Sequence, residues 1–240
     1  MFLGSENPVK IPLLPELDLA RIAPQPPENK RAALEAFRLS RPPYRYKPLR
    51  KSLADVLNAQ TGFLPAGPRV PFGKLAELIH TESRTDQEYE ANLRVAQGLY
   101  EHALKEDLLA RKHEFHPLTT GAGIRLTYWH SFILTLDGRP LVPFFDPRRS
   151  STNLTGLARR FVFSVMHERI RVSDPDFAEV RLGIFQFTTP ETGPRVPKLH
   201  TDDGQVLFTY DELEDMVAET YAIWTEVYMQ RTETERKRSG

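Results

Sequence analysis

Cysteine is absent from the 240-residue sequence, and this absence excludes several kinds of site. Without a thiol there is no disulfide, no thiolate nucleophile and no cysteine-ligated zinc or iron–sulfur centre. Long apolar runs are also missing, since none approaches the roughly 18 residues that a membrane-spanning helix requires. The opening residues, MFLGSENPVKIPLLPELD, lack the basic and apolar regions of a signal peptide. We therefore expect a cytoplasmic protein that does not bind a membrane.

A net excess of charge is lacking too, because 32 basic residues balance 32 acidic ones. The charges are nevertheless distributed unevenly along the chain. Residues 139–171 contain seven arginines against Asp146 and Glu168, whereas residues 201–235 contain ten acids against Arg231 alone. This polarity is compatible with an internal contact, with a dimer contact, or with a phosphate-facing surface backed by an acidic one.

Most specific catalytic motifs are missing as well. The sequence contains no P-loop, no Gly-x-Ser-x-Gly elbow and no complete dinucleotide fingerprint. His167 and Glu168 begin a pattern like that of the zinc-protease helix, but Arg171 stands where the second histidine is required. These classes of enzyme are therefore not indicated.

Proline is abundant at the amino-terminal end, where nine of the 20 prolines fall within the first 48 residues. Proline interrupts regular helices, so we predict that residues 1–51 form a proline-rich arm with one short helix near residues 28–39. Residues 52–240 are predicted to form a single α/β domain. Within the arm, the aromatic and basic residues Tyr44, Arg45, Tyr46 and Lys47 suit either a nucleic-acid backbone or packing on the protein's own surface.

The remaining elements follow from periodicity and capping signals. Thr85 and Glu88 form a capping box that begins a long helix to about Arg111, and Thr209 with Glu212 begins a second, acidic helix. Between them, residues 123–145 indicate a long β-hairpin around an Asp137-Gly138 turn. A helix after Asn153 or Thr155, a central strand at residues 178–187 and a short edge strand at residues 206–209 complete the pattern.

The fold class predicted from these elements is α/β, or α+β. We expect a small mixed sheet that includes the long hairpin, flanked by helices and preceded by the proline-rich arm. Pro140 and Pro143 lie in the second arm of the hairpin, which therefore is either an edge strand or a strand that pairs only through its other residues.

The order of long helix, hairpin, helix and strand between about Thr85 and Phe187 resembles the core of the restriction-endonuclease-like (PD-(D/E)xK) nucleases. Asp146-Pro147-Arg148 stands at the position of that family's Asp-x-Lys tripeptide. The resemblance implies catalytic roles for Asp146 and Arg148, with Asp146 as a ligand of Mg²⁺. The motif is degenerate, because no acid lies around residues 129–132 and because arginine does not release a proton as a lysine can. The alternative role of Asp146 is to end the strand and cap the following turn.

Three functions follow from these features. The first is a nucleic-acid-associated protein with a catalytically weakened nuclease-like scaffold and no cofactor, which binds DNA or RNA. The second is an adaptor or assembly protein that binds another protein, or a second copy of itself, through its arm and charged faces. The third is a Mg²⁺-dependent nuclease that uses Asp146. In the first, the phosphate contacts come from Tyr44, Arg45, Tyr46, Lys47, Arg148, Arg149, Arg159 and Arg160.

Overall fold

A mixed five-stranded sheet forms the centre of the computed structural model, which describes residues 11–38, 45–61 and 67–239. The α-helices of these residues are α1 (Glu16–Ile22), α2 (Pro27–Ala36), α3 (Lys47–Val56), α4 (Phe72–Glu82), α5 (Asp86–Lys105), α6 (Gly156–Met166) and α7 (Tyr210–Ser239). The strands are β1 (Leu109–Lys112), β2 (Leu118–Thr119), β3 (Arg125–Leu126), β4 (Phe132–Leu136), β5 (Arg139–Asp146), β6 (Arg181–Phe187) and β7 (Pro197–Thr201).

The strand order of the large sheet is β1-β4-β5-β6-β7. β5 and β6 run parallel, with α6 in the connection between them, and the other neighbouring strands are antiparallel. Strands β2 and β3 form a separate two-stranded sheet. The predicted mixed α/β class is therefore confirmed.

Strand β5 lies in the middle of the sheet and is buried from Leu141 to Asp146. Such a continuous apolar run is typical of a strand that is covered on both faces. Side chains alternate between the faces, so Val142 and Phe144 enter one core whereas Leu141 and Phe145 enter the other. Each proline belongs to one ladder only, since Pro140 lies before the ladder with β6 begins at Leu141 and Pro143 lies after the ladder with β4 ends at Leu141.

Helices cover both faces of the sheet. The first core contains α1, α2, α6 and α7, with Leu19, Leu34, Phe161 and Trp224 buried in it. The second core contains α3, α4 and α5. Burial of both sheet faces explains why the strands between the layers are so apolar. None of the helices in the described ranges combines the length and hydropathy that crossing a membrane requires.

The two predicted helix starts are confirmed. The Glu88 amide donates to Thr85 Oγ1 at 3.1 Å, and at α7 the Glu212 amide donates to Thr209 Oγ1 at 3.2 Å while the Thr209 amide donates to the Glu212 carboxylate at 2.7 Å. The predicted end of the long helix near Arg111 is wrong. Helix α5 ends at Lys105, because the residues from Leu109 onward form strand β1 on β4.

The predicted hairpin is present but shorter than expected. The turn residues Asp137 and Gly138 have φ of 55° and 69°, the left-handed values that a type I′ turn requires. The first arm is interrupted before Phe132, and Arg125–Leu126 pairs with β2 instead. The predicted edge strand at residues 206–209 is also wrong, since the edge position is taken by β7.

Residues 11–38 contain α1 in addition to the one helix that the sequence predicted, and they pack against the sheet layers. Trp224 Nε1 donates to the carbonyl of Pro12 at 2.8 Å, and the Tyr128 hydroxyl donates to the carbonyl of Glu16 at 2.7 Å. The acidic helix α7 forms ion pairs with α2, from Glu219 to Lys30 and from Glu226 to Arg31. These contacts attach the amino-terminal helices to the carboxyl-terminal one.

Candidate functional site

Asp146 is fully buried at the end of β5, and its carboxylate holds the loop that follows. One carboxylate oxygen accepts a hydrogen bond from Arg148 Nε at 3.0 Å, and the other accepts one from the Leu154 amide at 2.8 Å. A carboxylate that is bonded in this way closes the loop between β5 and α6. This geometry corresponds to the strand-ending role that the sequence left open for Asp146.

The surroundings of Asp146 do not fit a magnesium site. A guanidinium and a backbone amide occupy its two carboxylate oxygens, whereas Mg²⁺ prefers additional oxygen ligands in octahedral geometry. No group of three or more His, Asp or Glu side chains suited to a metal ion occurs within residues 11–38, 45–61 and 67–239. Arg148 instead lies between two acids, since its guanidinium is also 3.9 Å from Asp18 of α1.

The residues predicted to contact phosphates separate into two groups. Arg45, Tyr46, Lys47, Arg148 and Arg149 all line one cleft. Tyr44 lies outside the described residues.

Arg159 and Arg160 of α6 form the second group and point into internal contacts. Arg159 donates to the carbonyl of Leu154 at 3.0 Å and to the Gln186 side chain at 3.2 Å, and burial lowers the pKa of its guanidinium. The Arg160 guanidinium stacks on the ring of Phe208, 3.7 Å from its centre. These two arginines therefore support the helix layer and do not extend the cleft.

The cleft has a volume of about 950 Å³ and opens between α1, the end of α2, the start of α3 and the loop after β5. We call it the basic cleft, because seven of the described residues that line it are basic and two, Glu16 and Asp18, are acidic. Sequence reasoning did not include three of the bases among the site residues. They are Arg21, Arg38 and Arg50.

Two of the missed residues, Arg21 and Arg38, carried little signal of their own. Arg21 lies on α1, which the proline-rich sequence did not indicate, and Arg38 follows α2 directly. Only the packing of α1 and α2 beside the β5–α6 loop brings these cations to one place.

A buried arginine supports the floor of the basic cleft. Arg195 is only 4% exposed and donates five hydrogen bonds to neutral oxygens of described residues. Three of these fix the cleft directly, since they join Arg195 to the Tyr46 hydroxyl at 3.1 Å and to the carbonyls of Pro147 and Arg148, each at 2.6 Å. No sequence motif indicated this role for Arg195.

A second set of buried polar groups holds the start of α3 against α5. Glu88 accepts from the amide of Arg45 at 2.9 Å and from that of Arg84 at 2.8 Å. Asn92 donates to the carbonyl of Arg45 at 2.7 Å and accepts from the Leu49 amide at 3.0 Å. The hydrogen bond from the Arg84 amide is the largest of the effects that lower the pKa of Glu88. These bonds set the position of one wall of the cleft.

Asp18 is one of the two acids that line the cleft, and its carboxylate lies 3.9 Å from the guanidinium of Arg148. Burial raises the pKa of its carboxyl group, while the guanidinium groups of Arg148 and Arg21 act in the opposite direction. Asp18 thus compensates part of the positive charge of the cleft, and its own environment is partly desolvated.

Comparison with known proteins assigns this chain to one protein family over most of its length. The model of a family described as "Sliding clamp-binding bacterial toxin SocB" matches residues 17–234. The chain therefore belongs to the SocB family. It is also 35% identical over 224 residues, 93% of each chain, to a protein of Caulobacter vibrioides (strain NA1000 / CB15N) named "DNA replication inhibitor toxin SocB". No solved structure matches it.

The family corrects two of the interpretations drawn from the sequence. The resemblance to restriction-endonuclease-like nucleases is wrong, because the family match covers the whole of the region from Thr85 to Phe187 and names a different family. The function of a nucleic-acid-associated, nuclease-like protein is wrong for the same reason, and with it the Mg²⁺-dependent nuclease. The order of elements does not specify the family, since a long helix, a hairpin and a βαβ-type connection recur in unrelated α/β folds. The alternative of a protein that binds another protein is the one that the family favours.

Proposed function

We propose that this chain binds a bacterial sliding clamp and thereby inhibits DNA replication in the cytoplasm. The observation that carries the proposal is the extent of the similarity, since the family model spans residues 17–234 and the Caulobacter relative is covered over 93% of its length. A match of that extent includes all three layers of the fold, from α1 to α7. The relevant partner is thus a protein, and no catalytic step is required for the inhibition.

The contacts that Arg159 and Arg160 make within the fold support a protein partner over a nucleic acid. Arg159 and Arg160, two of the eight residues predicted to contact phosphates, are engaged within the fold. The chain as a whole carries no net positive charge, which does not favour a nucleic-acid backbone.

Binding of the purified chain to an immobilised sliding clamp tests the proposal. The immobilised clamp of the bacterium that encodes the chain should bind the chain saturably, with either one chain per clamp or one chain per clamp subunit. Duplex DNA without the clamp should give no comparable signal at the same ionic strength. Circular dichroism verifies that the purified chain is folded. If the folded chain does not bind the clamp, the proposal is contradicted.

Induction of the chain in its own bacterium tests the consequence for replication. Incorporation of labelled thymidine should fall soon after induction, before total protein synthesis does. Overproduction of the clamp should restore incorporation, because excess clamp saturates the inhibitor. Inhibition that is indifferent to the clamp level would point to another target.

A further inference from the structure

The basic cleft carries positive charge that the described residues leave largely uncompensated. Arg21, Lys47 and Arg50 line it, and none of the three forms an ion pair with a described residue. Among the described residues of the lining, Glu16 and Asp18 are the acidic ones, and Asp18 already lies beside Arg148. A cleft with low-dielectric walls concentrates such a potential and attracts anions to it.

Arg195 adds to the positive potential of the cleft from behind the lining residues Tyr46, Pro147 and Arg148. Its guanidinium is buried and bonded to neutral oxygens, so its charge is held in place beside Pro147 and Arg148 without an acidic partner among its hydrogen-bond acceptors. A buried charge is costly to desolvate, and hydrogen bonds to carbonyls offset that cost while leaving the net charge unneutralised. The cleft therefore has a buried cation behind its lining residues as well as the cationic side chains that line it.

The arrangement of the cations indicates an extended ligand. They come from different walls, since Arg21 belongs to α1, Lys47 and Arg50 to α3, and Arg148 to the loop after β5. A volume of about 950 Å³ is at the upper end of the usual range for small-molecule pockets, about 300–1,000 Å³. A single phosphate or carboxylate would contact only one wall of such a cleft.

The lining also contains apolar surface between the charges. Leu17 of α1, Phe37 after α2 and Pro147 of the loop are all part of it. Apolar surface beside cations suits a polypeptide, which carries aliphatic side chains between its carboxylates. The two acids, Glu16 and Asp18, would repel the continuous charge of a nucleic-acid backbone, whereas a peptide can place neutral or basic residues opposite them.

We infer that the basic cleft binds an acidic segment of a protein partner, that is, a stretch of polypeptide with several spaced carboxylates. Its carboxylates lie along Arg21, Lys47 and Arg50, and its apolar side chains contact Leu17 and Phe37. Arg148 already pairs with Asp146 and Asp18 and therefore contributes only to the wall of the cleft. The inference goes beyond clamp binding and does not depend on it, because it rests only on the charges and shape of the cleft.

Fluorescence anisotropy with a synthetic peptide tests the inference. The probe is a fluorescein-labelled decapeptide of alternating glutamate and alanine, and the control peptide has glutamine in place of each glutamate. The full-length chain should bind the glutamate peptide saturably and the glutamine peptide at least about tenfold more weakly, since opposite charges across an interface set both encounter and specificity. Added salt should weaken only the binding of the glutamate peptide.

Two charge-reversed variants locate the binding. Lys47→Glu with Arg50→Glu changes exposed positions on one wall of the cleft, and an acid at Lys47 is compatible with the first turn of α3. Lys74→Glu with Arg139→Glu alters net charge equally at exposed positions that do not line the cleft. The first variant should lose about tenfold or more in affinity for the glutamate peptide, and the second about twofold or less. Circular dichroism melts establish that both variants are folded, and Lys47→Gln with Arg50→Gln replaces the first if it is not.

Three outcomes would overturn the inference. One is equal binding of the glutamate and glutamine peptides, including no binding of either. Another is an equal loss of affinity in the two charge-reversed variants, which would mean that net charge alone attracts the peptide. The third is displacement of the peptide by a single-stranded oligonucleotide at lower concentration than by unlabelled peptide, which would identify the cleft as a nucleic-acid site.

Discussion

At the scale of single residues, the buried charged groups of this protein mainly form hydrogen bonds that hold loops and helix ends in position. Asp146, Glu88 and Arg195 are all nearly inaccessible to solvent, and each is bonded to backbone groups of segments that have no regular structure of their own. Such groups are costly to leave unpaired. Their removal should therefore affect stability strongly.

Asp146→Ala should destabilise the protein by about 3 kcal/mol, because it leaves the buried Leu154 amide and the partly buried guanidinium of Arg148 without this acceptor. Asp146→Asn should cost less, about 1–2 kcal/mol, since its amide oxygen can still accept one of the two bonds. Urea unfolding followed by circular dichroism measures both values. Equal stability of Asp146→Ala and the unmodified chain would show that the loop does not depend on the carboxylate.

His130 should make stability depend on pH. Its ring packs between Phe144 and Phe145 and accepts from the Phe145 amide at 3.3 Å. Burial, with a smaller effect of Arg50, lowers its pKa to about 3. The folded chain therefore keeps His130 neutral while the unfolded chain takes up a proton below about pH 6.5, and stability is lost as pH falls from about 6.5 toward 3.

The expected loss attributable to His130 is about 1–2 kcal/mol between pH 7 and pH 5. Urea unfolding at the two pH values measures it, and His130→Gln provides the comparison because glutamine can accept the same bond without titrating. The difference between pH 7 and pH 5 should be smaller in His130→Gln by that amount. The same pH dependence in both proteins would assign the effect to other groups.

At the scale of elements, α7 has two roles: one side packs in the core with Trp224, and the other carries acids that hold α2. Lys30 of α2 is almost fully buried, with 2% of its side chain exposed, and its partner Glu219 is 43% exposed. Arg31 and Glu226 form a second pair in which both side chains are exposed. The two pairs lie on the same pair of helices but differ in burial, so they allow a matched comparison.

Glu219→Gln should destabilise the protein by about 1–3 kcal/mol, because the buried ammonium of Lys30 loses its counter-charge. Glu226→Gln, the matched change at the exposed pair, should cost less than about 0.5 kcal/mol. Thermal and urea unfolding of the two variants measure these values. Combination of Lys30→Met with Glu219→Gln should recover most of the loss, and a double variant no more stable than Glu219→Gln would contradict this account.

A glycine determines how closely another pair of elements can approach. A Cβ built on Gly98 of α5 would lie 1.9 Å from the carbonyl oxygen of Arg195. No side chain fits at that distance, so helix α5 and the segment before β7 pack through backbone contact. The Arg195 amide also donates to the carbonyl of Arg94 at 2.9 Å, and this contact positions the arginine under the basic cleft.

At the scale of the whole molecule, the two hydrophobic cores share one sheet. Strands β5 and β6 contribute alternate side chains to each core, with Ile184 on one side and Phe185 on the other. Loss of either helix layer would expose an apolar face of the same strands. The stability of each layer is therefore coupled to that of the other.

This coupling should give a single cooperative unfolding transition. Differential scanning calorimetry should show one peak whose calorimetric and van't Hoff enthalpies agree. Tryptophan fluorescence, which monitors Trp129 and Trp224 of the first core, should change at the same temperature as far-ultraviolet circular dichroism. Two separated transitions would show that the layers unfold independently.

The elements that the sequence predicted well are those whose signals are local. Capping boxes at Thr85 and Thr209, the Asp137-Gly138 turn and the apolar run of β6 depend on residues within a few positions of each other, and each was found in the structure. The end of α5, the position of β7 and the break in the hairpin were predicted wrongly. These three features depend on the pairing of strands that are far apart in the sequence, and the local propensity of a segment does not specify its pairing partner.

By itself, the sequence determined the absence of thiol chemistry, the mixed α/β class and the central strand near residues 178–187, because composition and periodicity depend on residues close together in the chain. Only the tertiary structure decided what the charged residues do. In the structure Asp146 is buried against Arg148, and Arg159 and Arg160 point into internal contacts. Arg21 and Lys47, from different helices, line the same basic cleft. The physical reason is that the energy of a charge depends on its burial and on its neighbours in space, and these neighbours come from segments far apart in the chain.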